Sequence, residues 1–389
     1  MEFDKTILVL AHSDYLNTDA GVEKIMQGQQ KIFLENQTNF VVVYPIRKEV
    51  RILGEVHEIT TSKYGLIVNG QHRETINDKK MVGLLGMPGL QAVIVHELVT
   101  FRKNEKLFEL FDHMTCPVYY YVHDYAMVCY NHTLMRNNRE FCGTQSLSWE
   151  KCHNCKYYLQ GKWNSLWQHK FVKRYPKITY IFPSEIVKEI WQNTFQAPNK
   201  LFVVPNTKFR EEIFSYVAKD RSDKIRMAFI GYGRIEKGWN IWKKICKDYD
   251  EQYDLYVLGD GECEGKVTKV PVSVSKDGPN AMIDAIRNNN IDMAFLWSTR
   301  PETYSYTFYE SYVSGCFIIT GSQSGNIAAM TRKYQCGQVF QTEEELFFYL
   351  KCEEQVRRSI ETMYRENAYY PTALEDNDEI LKIIKGEKN

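Results

Sequence analysis

The chain carries no surplus of charge: 49 Lys and Arg balance 49 Asp and Glu over 389 residues. Nucleic-acid-binding domains usually show a basic excess or stripe, so no nucleic-acid partner is expected, although local basic patches stay open. No uninterrupted apolar run reaches about 18 residues, so no membrane-spanning helix is expected. The opening residues, Met1 through Leu10, lack the charged head and cleavage site of a secretory signal. They read instead as the first core strand of a cytoplasmic α/β domain. Internal repeats and low-complexity linkers are also missing. Aromatic residues are plentiful, with 26 Tyr, 20 Phe and 7 Trp. Aromatic faces suit sugar rings, cores and interfaces alike.

Strand-like runs alternate with helical stretches, which argues for parallel sheets. In the first half the expected strands are Thr6–Ala11, Phe40–Tyr44, Tyr64–Asn69, Gln91–His96, Pro117–His123, Thr179–Pro183 and Lys200–Pro205, with a helix over Ala20–Leu34. In the second half they are Arg226–Ile230, Asp254–Leu258, Val267–Val274, Asp292–Trp297, Cys316–Thr320 and Gln338–Phe340. Helices are expected over Asn280–Asn289, Glu343–Cys352 and Glu353–Asn367. The fold class is α/β, with two Rossmann-like domains and a boundary near Asn206–Asp223. Residues 1–206 form the first domain, with a Cys-rich insertion at about 124–160, and 207–355 form the second.

Ten cysteines in a cytoplasmic protein should be mostly reduced. Cys129, Cys142, Cys152 and Cys155 fall close together, the last two as Cys-x-x-Cys around His153 and Asn154. Four thiols at such spacing suit a tetrahedral structural zinc, with no open position for catalysis. His123, His132 or His153 can stand in for one ligand. The alternative is four unligated thiols in an insertion.

The chemistry-bearing motifs lie at strand ends. Ile225–Ile230 runs into Gly231-Tyr232-Gly233-Arg234-Ile235-Glu236-Lys237-Gly238, and a helix follows. Free amides at a helix start favour an anion, and Arg234 and Lys237 add cations suited to phosphate oxygens. Taken alone, the segment is equally an ordinary solvated turn. It is not a Walker-type phosphate loop, since no Ser or Thr follows Lys237. Downstream, the apolar Ile291–Trp297 run exits to Glu302, and Glu310 follows eight positions later on a helix that ends at Gly315. Ligands of open α/β sheets bind at strand exits, so two carboxylates there can hold two sets of ligand hydroxyls. Without the upstream turn, solvated helix-end charges would be the ordinary reading. A third glycine turn, Gly321-Ser322-Gln323-Ser324-Gly325-Asn326, offers further amides.

Together these segments resemble the C-terminal half of the retaining GT-B glycosyltransferases, in particular family 4. That family has a Gly-x-x-x-x-Lys-Gly turn and a Glu-x7-Glu pattern, here Gly233 to Gly238 and Glu302 to Glu310. The Cys-rich segment, with His123-Asp124-Tyr125 ahead of it, is similar to that of some bacterial surface-polysaccharide glycosyltransferases. The resemblance implies two Rossmann-like domains facing across a cleft, with residues 356–389 crossing back onto the first domain. It implies a nucleotide-diphosphate sugar donor (UDP, dTDP or GDP) and a glycan or lipid-linked glycan acceptor, in capsule, O-antigen or cell-wall synthesis. By resemblance, Lys237, Arg234, Gly233, Gly325 and Asn326 hold the diphosphate, Glu310 the ribose and Glu302 the donor sugar. Gly21 opens the first helix near the diphosphate or acceptor, with Asp19 as the alternative reading, a helix cap. His123 faces the donor sugar, with His96 as a weaker candidate. No cofactor is required for catalysis, and no Asp-x-Asp motif stands in a suitable place for a divalent cation.

Rival readings remain: a nucleotide-sugar epimerase of the same fold, a non-catalytic glycosyltransferase-like scaffold, and a zinc-ribbon nucleic-acid protein that the neutral charge disfavours. The Lys156–Lys173 stretch mixes Trp163, Trp167 and Tyr158 with basic residues. It is a candidate for peripheral membrane contact or, alternatively, an ordinary surface helix.

Overall fold

The computed structural model of the chain describes residues 2–18, 21–52, 55–143, 148–210, 213–215, 224–366 and 369–387. It divides into two compact units: Met1–Asn137 with Cys142–Asn206 and Asp376–Asn389, and Thr207–Glu375 with Asn138–Phe141. Much of the expected 206–223 boundary, and the proposed Asp19 cap, lie outside the described residues.

The first unit is built on eight strands: β1 (Lys5–Ala11), β2 (Thr38–Ile52), β3 (Glu55–Val68), β4 (Gln71–Asn77), β5 (Leu90–His96), β6 (Val118–Tyr121), β7 (Thr179–Phe182) and β8 (Leu201–Val203). Their order is β8-β7-β6-β5-β1-β2-β3-β4. Pairing is parallel from β8 through β2, and antiparallel for β2–β3 and β3–β4. The all-parallel expectation is corrected at this edge. Ile52 and Glu55 are too close in sequence for a crossover, which needs a dozen or more residues, so β2 and β3 form a hairpin. Ile7 through Leu10 and Ala92 through Val95 are buried without alternation, as strands covered on both faces require. Helix α1 (Gly21–Glu35) lays Met26 and Phe33 on this core.

The second unit holds six parallel strands: β9 (Arg226–Tyr232), β10 (Asp254–Asp260), β11 (Val267–Val270), β12 (Met293–Phe295), β13 (Phe317–Gly321) and β14 (Gly337–Phe340). Their order is β11-β10-β9-β12-β13-β14. Trp242, fully buried, packs its ring 6.0 Å from that of Phe229 and 5.5 Å from that of Phe295.

The end of the chain divides differently from the expected 356–389 segment. The Glu353–Glu366 helix buries Val356, Ile360, Met363 and Tyr364 in the second unit's core. Only the last residues belong to the first unit, where the Glu379–Ile384 helix buries Ile380 and Ile383. Apolar positions recurring at i, i+4 and i+7 give the longer helix a core-facing stripe, and the second unit's core covers it.

Candidate functional site

In the second unit the chain steps outward from β9 to β10 and β11, then returns to lay β12 on the other side of β9. Ligands of open sheets bind at such a reversal, beyond the carboxyl ends of the strands. The exits of β9, β12 and β13 meet there.

The β9 exit makes one short 3-10 turn over Ile235–Lys237 and passes into helix α2 (Trp239–Asp248) through Gly238, at φ +77°. A Cβ at Gly238 would lie 2.4 Å from the Trp297 carbonyl oxygen. Glycine there allows both the left-handed backbone and the close approach of the β12 exit. The two exits are then laced together: Thr299 N–H donates to the Glu236 carbonyl at 3.0 Å. The Ser298 hydroxyl lies 3.1 Å from both that carbonyl and Glu302 Oε1. The β13 exit joins through Glu302, whose N–H donates to Ser324 O at 3.3 Å and whose carbonyl accepts from Asn326 N–H at 2.9 Å.

Lys237 and Glu302, 65 positions apart in sequence, form an ion pair with Nζ 3.0 Å from Oε1, and Arg300 Nη2 lies 3.8 Å from the same oxygen. Glu302 is 4% exposed. Burial pushes its carboxyl up, but the charges of Lys237 and Arg300 and the hydrogen bonds from Lys237 and Ser298 outweigh that and hold it below the ordinary value. The result is a buried carboxylate under a half-exposed ammonium. Beside it, Asn326 Oδ1 and Arg300 Nε are buried with no hydrogen-bond partner. A buried orphan of this kind costs about 1–3 kcal/mol, which a ligand can recover.

Glu310 is buried on helix α3 (Tyr306–Val313). Tyr309 of that helix stacks on Tyr304 at 4.5 Å. Gly233 lies against the Trp239 ring, where a Cβ would come within 2.8 Å. Gly325, at φ +60°, leads into the Asn326–Lys333 helix. Arg234 is exposed; its carbonyl accepts from Lys237 N–H at 2.9 Å, while its guanidinium points to Glu236, 4.0 Å away. Sequence reasoning missed Ser298, Arg300 and Ser324, although all three fall inside segments it singled out.

Gly21 and His123 lie in the first unit. Gly21 begins α1. Two residues on, Glu23 is buried beside His12, with 3.3 Å between Oε1 and Nε2, and is hydrogen-bonded by Ser13. Burial raises its carboxyl, yet His12 and Ser13 bring it below the ordinary value. Strand-exit position is the signal that would have found His12. At the β5 and β6 exits, His96 Nε2 lies 2.9 Å from Gln29 Oε1, and His96 Nδ1 lies 2.8 Å from His123 Nε2. With the amide oriented this way, its oxygen only accepts, so His96 donates from Nε2 and accepts at Nδ1. His123 then donates from Nε2 and keeps Nδ1 as a bare acceptor. Burial pushes both rings below the ordinary value, His123 to about 3, so both are neutral.

Below them, Glu97 at φ +61° accepts the N–H groups of His123 and Asp124, each at 3.0 Å. Burial raises both the Glu97 and Asp124 carboxyls, and each hydrogen-bonds the other. The pair holds a proton between them.

Cys129, Cys142, Cys152 and Cys155 line one small cavity, and all four are free thiols. Among the described residues no three His, Cys, Asp or Glu side chains stand at metal-coordinating spacing. On the Tyr158–Arg174 helix, Leu159, Trp163 and Leu166 are 67%, 73% and 57% exposed. Among the described residues, no helix is long and apolar enough to cross a membrane.

No family model and no curated protein matches the chain. Among solved structures it is similar to HepE of Anabaena in complex with UDP, with 13% identity, 93% of this chain and 94% of that one covered, and a TM-score of 0.55. The HepE complex with UDP and glucose matches at 11% identity, 94% and 93% coverage and a TM-score of 0.53. The complex with UDP-glucose matches at 13% identity, 93% coverage of both chains and a TM-score of 0.50. At such identity the likeness speaks to architecture, and the chain has the paired Rossmann-like units of the GT-B glycosyltransferase fold.

Proposed function

We propose that the chain is a glycosyltransferase. It moves a sugar from a nucleoside diphosphate sugar to a hydroxyl of a glycan acceptor, with retention at the anomeric carbon, in bacterial surface-polysaccharide synthesis. The observation that carries this reading is the Lys237–Glu302 ion pair at the sheet reversal, with Asn326 Oδ1 and Arg300 Nε unpaired beside it. The crystallised HepE complexes with UDP and UDP-glucose agree with it.

Lys237, assisted by Arg234 and by amides near Gly325 and Asn326, meets the charge that grows on the leaving diphosphate. Glu302 holds donor-sugar hydroxyls, Glu310 the ribose, and the bare His123 Nδ1 accepts from a sugar hydroxyl. The bond from the anomeric carbon to the phosphate oxygen breaks, and its electron pair leaves with the diphosphate. The acceptor oxygen bonds to the same face of the oxocarbenium-like carbon, and its proton passes to the departing phosphate. No protein base is needed for that step.

The acceptor in this reading is lipid-linked. Leu159, Trp163 and Leu166 fall on one helix face, continued by Lys170 and Lys173, and the helix contains no Asp or Glu. Such a face suits an anionic bilayer.

The decisive experiment is a thermal-shift panel of UDP, GDP, dTDP and their sugars, followed by product analysis with the stabilising donor. One nucleotide should raise the melting temperature, as a ligand of the native state must. If none does, the enzyme reading fails.

A further inference from the structure

We propose that Cys129, Cys142, Cys152 and Cys155 form a structural zinc site that fastens the Tyr158–Arg174 helix to the loop after β6. The cysteines come from three separate stretches of chain, yet all four line one cavity of about 30 Å³. That is room for a single ion or water. The surrounding backbone is already turned as a ligand scaffold. Cys155 N–H donates to the Cys152 carbonyl at 2.8 Å, and Tyr158 N–H to the Cys155 carbonyl at 2.9 Å, so the Cys-x-x-Cys turn opens directly into the helix. Asn137 braces that turn from outside, accepting from Lys156 N–H at 2.8 Å and donating to the Asn154 carbonyl at 3.3 Å. Cys142 N–H is anchored on the Leu134 carbonyl at 2.8 Å, and Cys129 N–H on the Tyr125 carbonyl at 2.9 Å.

The donor chemistry selects the ion. Four thiolates are soft ligands that favour tetrahedral zinc, and four protein ligands leave no position for substrate. A zinc tetrathiolate carries a net double negative charge, and Arg136 and Lys151 stand on the cavity wall to offset it. The thiols surround the cavity without reaching coordination spacing. Closure on an ion needs side-chain rotation between staggered wells, with the backbone anchors kept. The site is structural in consequence: Asn164 of the fastened helix donates to the Ala126 carbonyl at 2.7 Å, two residues beyond Asp124.

The test is zinc content of the full chain purified without chelator. About one zinc per chain is expected, as for a single tetrahedral site. The Cys152→Ser and Cys155→Ser variants should lose it and melt lower, and Cys352→Ser, at an exposed thiol, should keep it. Where the variants do not fold, cobalt added to stripped wild-type protein supplies the readout. Thiolate-to-cobalt charge-transfer and tetrahedral d–d bands are expected. Metal-free protein of unaltered stability, or zinc that survives loss of both Cys152 and Cys155, or cobalt without thiolate bands, overturns the proposal.

Discussion

The two units place polar clusters at the same point of the same kind of sheet, and the clusters are electrostatic opposites. Beyond β9 and β12, a buried carboxylate is kept charged by Lys237 and Arg300. Beyond β5 and β6, burial has stripped the charge from everything it can: His96 and His123 are neutral, and Glu97 with Asp124 retains a proton. The difference lies in which partner arrives. A carboxylate that meets a cation recovers its desolvation cost, and histidines that bond an amide and each other and stack on Tyr121 do not. In the function proposed above, the first exit serves a charged ligand and the second neutral hydroxyls.

Lys237→Ala attacks that contrast most directly. It leaves Glu302 buried without its nearest cation, and about 2 kcal/mol of stability should go, less than for a fully buried pair because Lys237 is half exposed. Turnover should fall at least about tenfold, or ~1.4 kcal/mol of barrier, and Glu310→Ala should match it. Wild-type rates in both folded variants would dissolve the charged site. Next, Gly238→Ala should cost at least about 1–2 kcal/mol in urea unfolding from its left-handed backbone, with the clash against the Trp297 carbonyl oxygen, 2.4 Å from the new Cβ, added to it. An unchanged midpoint would show that the lacing of the two exits tolerates a shift.

The neutral cluster is tested by pH. The unfolded chain takes up histidine protons near the ordinary value, while folded His123 refuses them until about 3. Stability from this source is therefore complete above the ordinary histidine value and falls as pH drops below it. The slope is about 1.4 kcal/mol per pH unit for each ring. The Glu97–Asp124 pair runs the other way, losing stability as pH rises from the ordinary carboxylate range toward its raised folded value. Urea unfolding at several pH values should give a shallower acid slope for His123→Gln than for wild type. Equal slopes would mean that His123 is charged in the folded chain. Smallest in stability is Trp163→Ser, within about 0.5 kcal/mol as for other surface changes. Its expected effect is loss of co-sedimentation with phosphatidylglycerol vesicles. Undiminished binding would show that the Trp163 face is not the bilayer contact, and no binding by wild type would remove the bilayer from the proposed function.

Much of this was legible from the chain alone. Uninterrupted apolar runs such as Ile7–Leu10 and Met293–Leu296 announce strands covered on both faces, because period and burial are local properties of the chain. The glycine turns at Gly238 and Gly325 were visible for the same reason. The β2–β3 hairpin is hard to read from the chain because its outer half, Lys48 to Thr61, is mostly exposed over its described residues and its few apolar positions, such as Val50, Val56 and Ile59, are scattered among charged residues and mark no core. The partner of the Glu353–Glu366 helix is not legible in the chain, because an amphipathic face states that it is buried, not against what.

Residue identity and order determined two α/β units, the strand exits that carry Lys237, Glu302 and His123, the helix after them that carries Glu310, and four thiols close together in sequence. Tertiary structure alone decided that Lys237 meets Glu302 across 65 positions, that His96 hands His123 its tautomer, and that the four cysteines share a cavity. The physical reason is range. Strand and helix periodicity is set by neighbouring residues, whereas the charge of a buried group depends on which distant group closes over it.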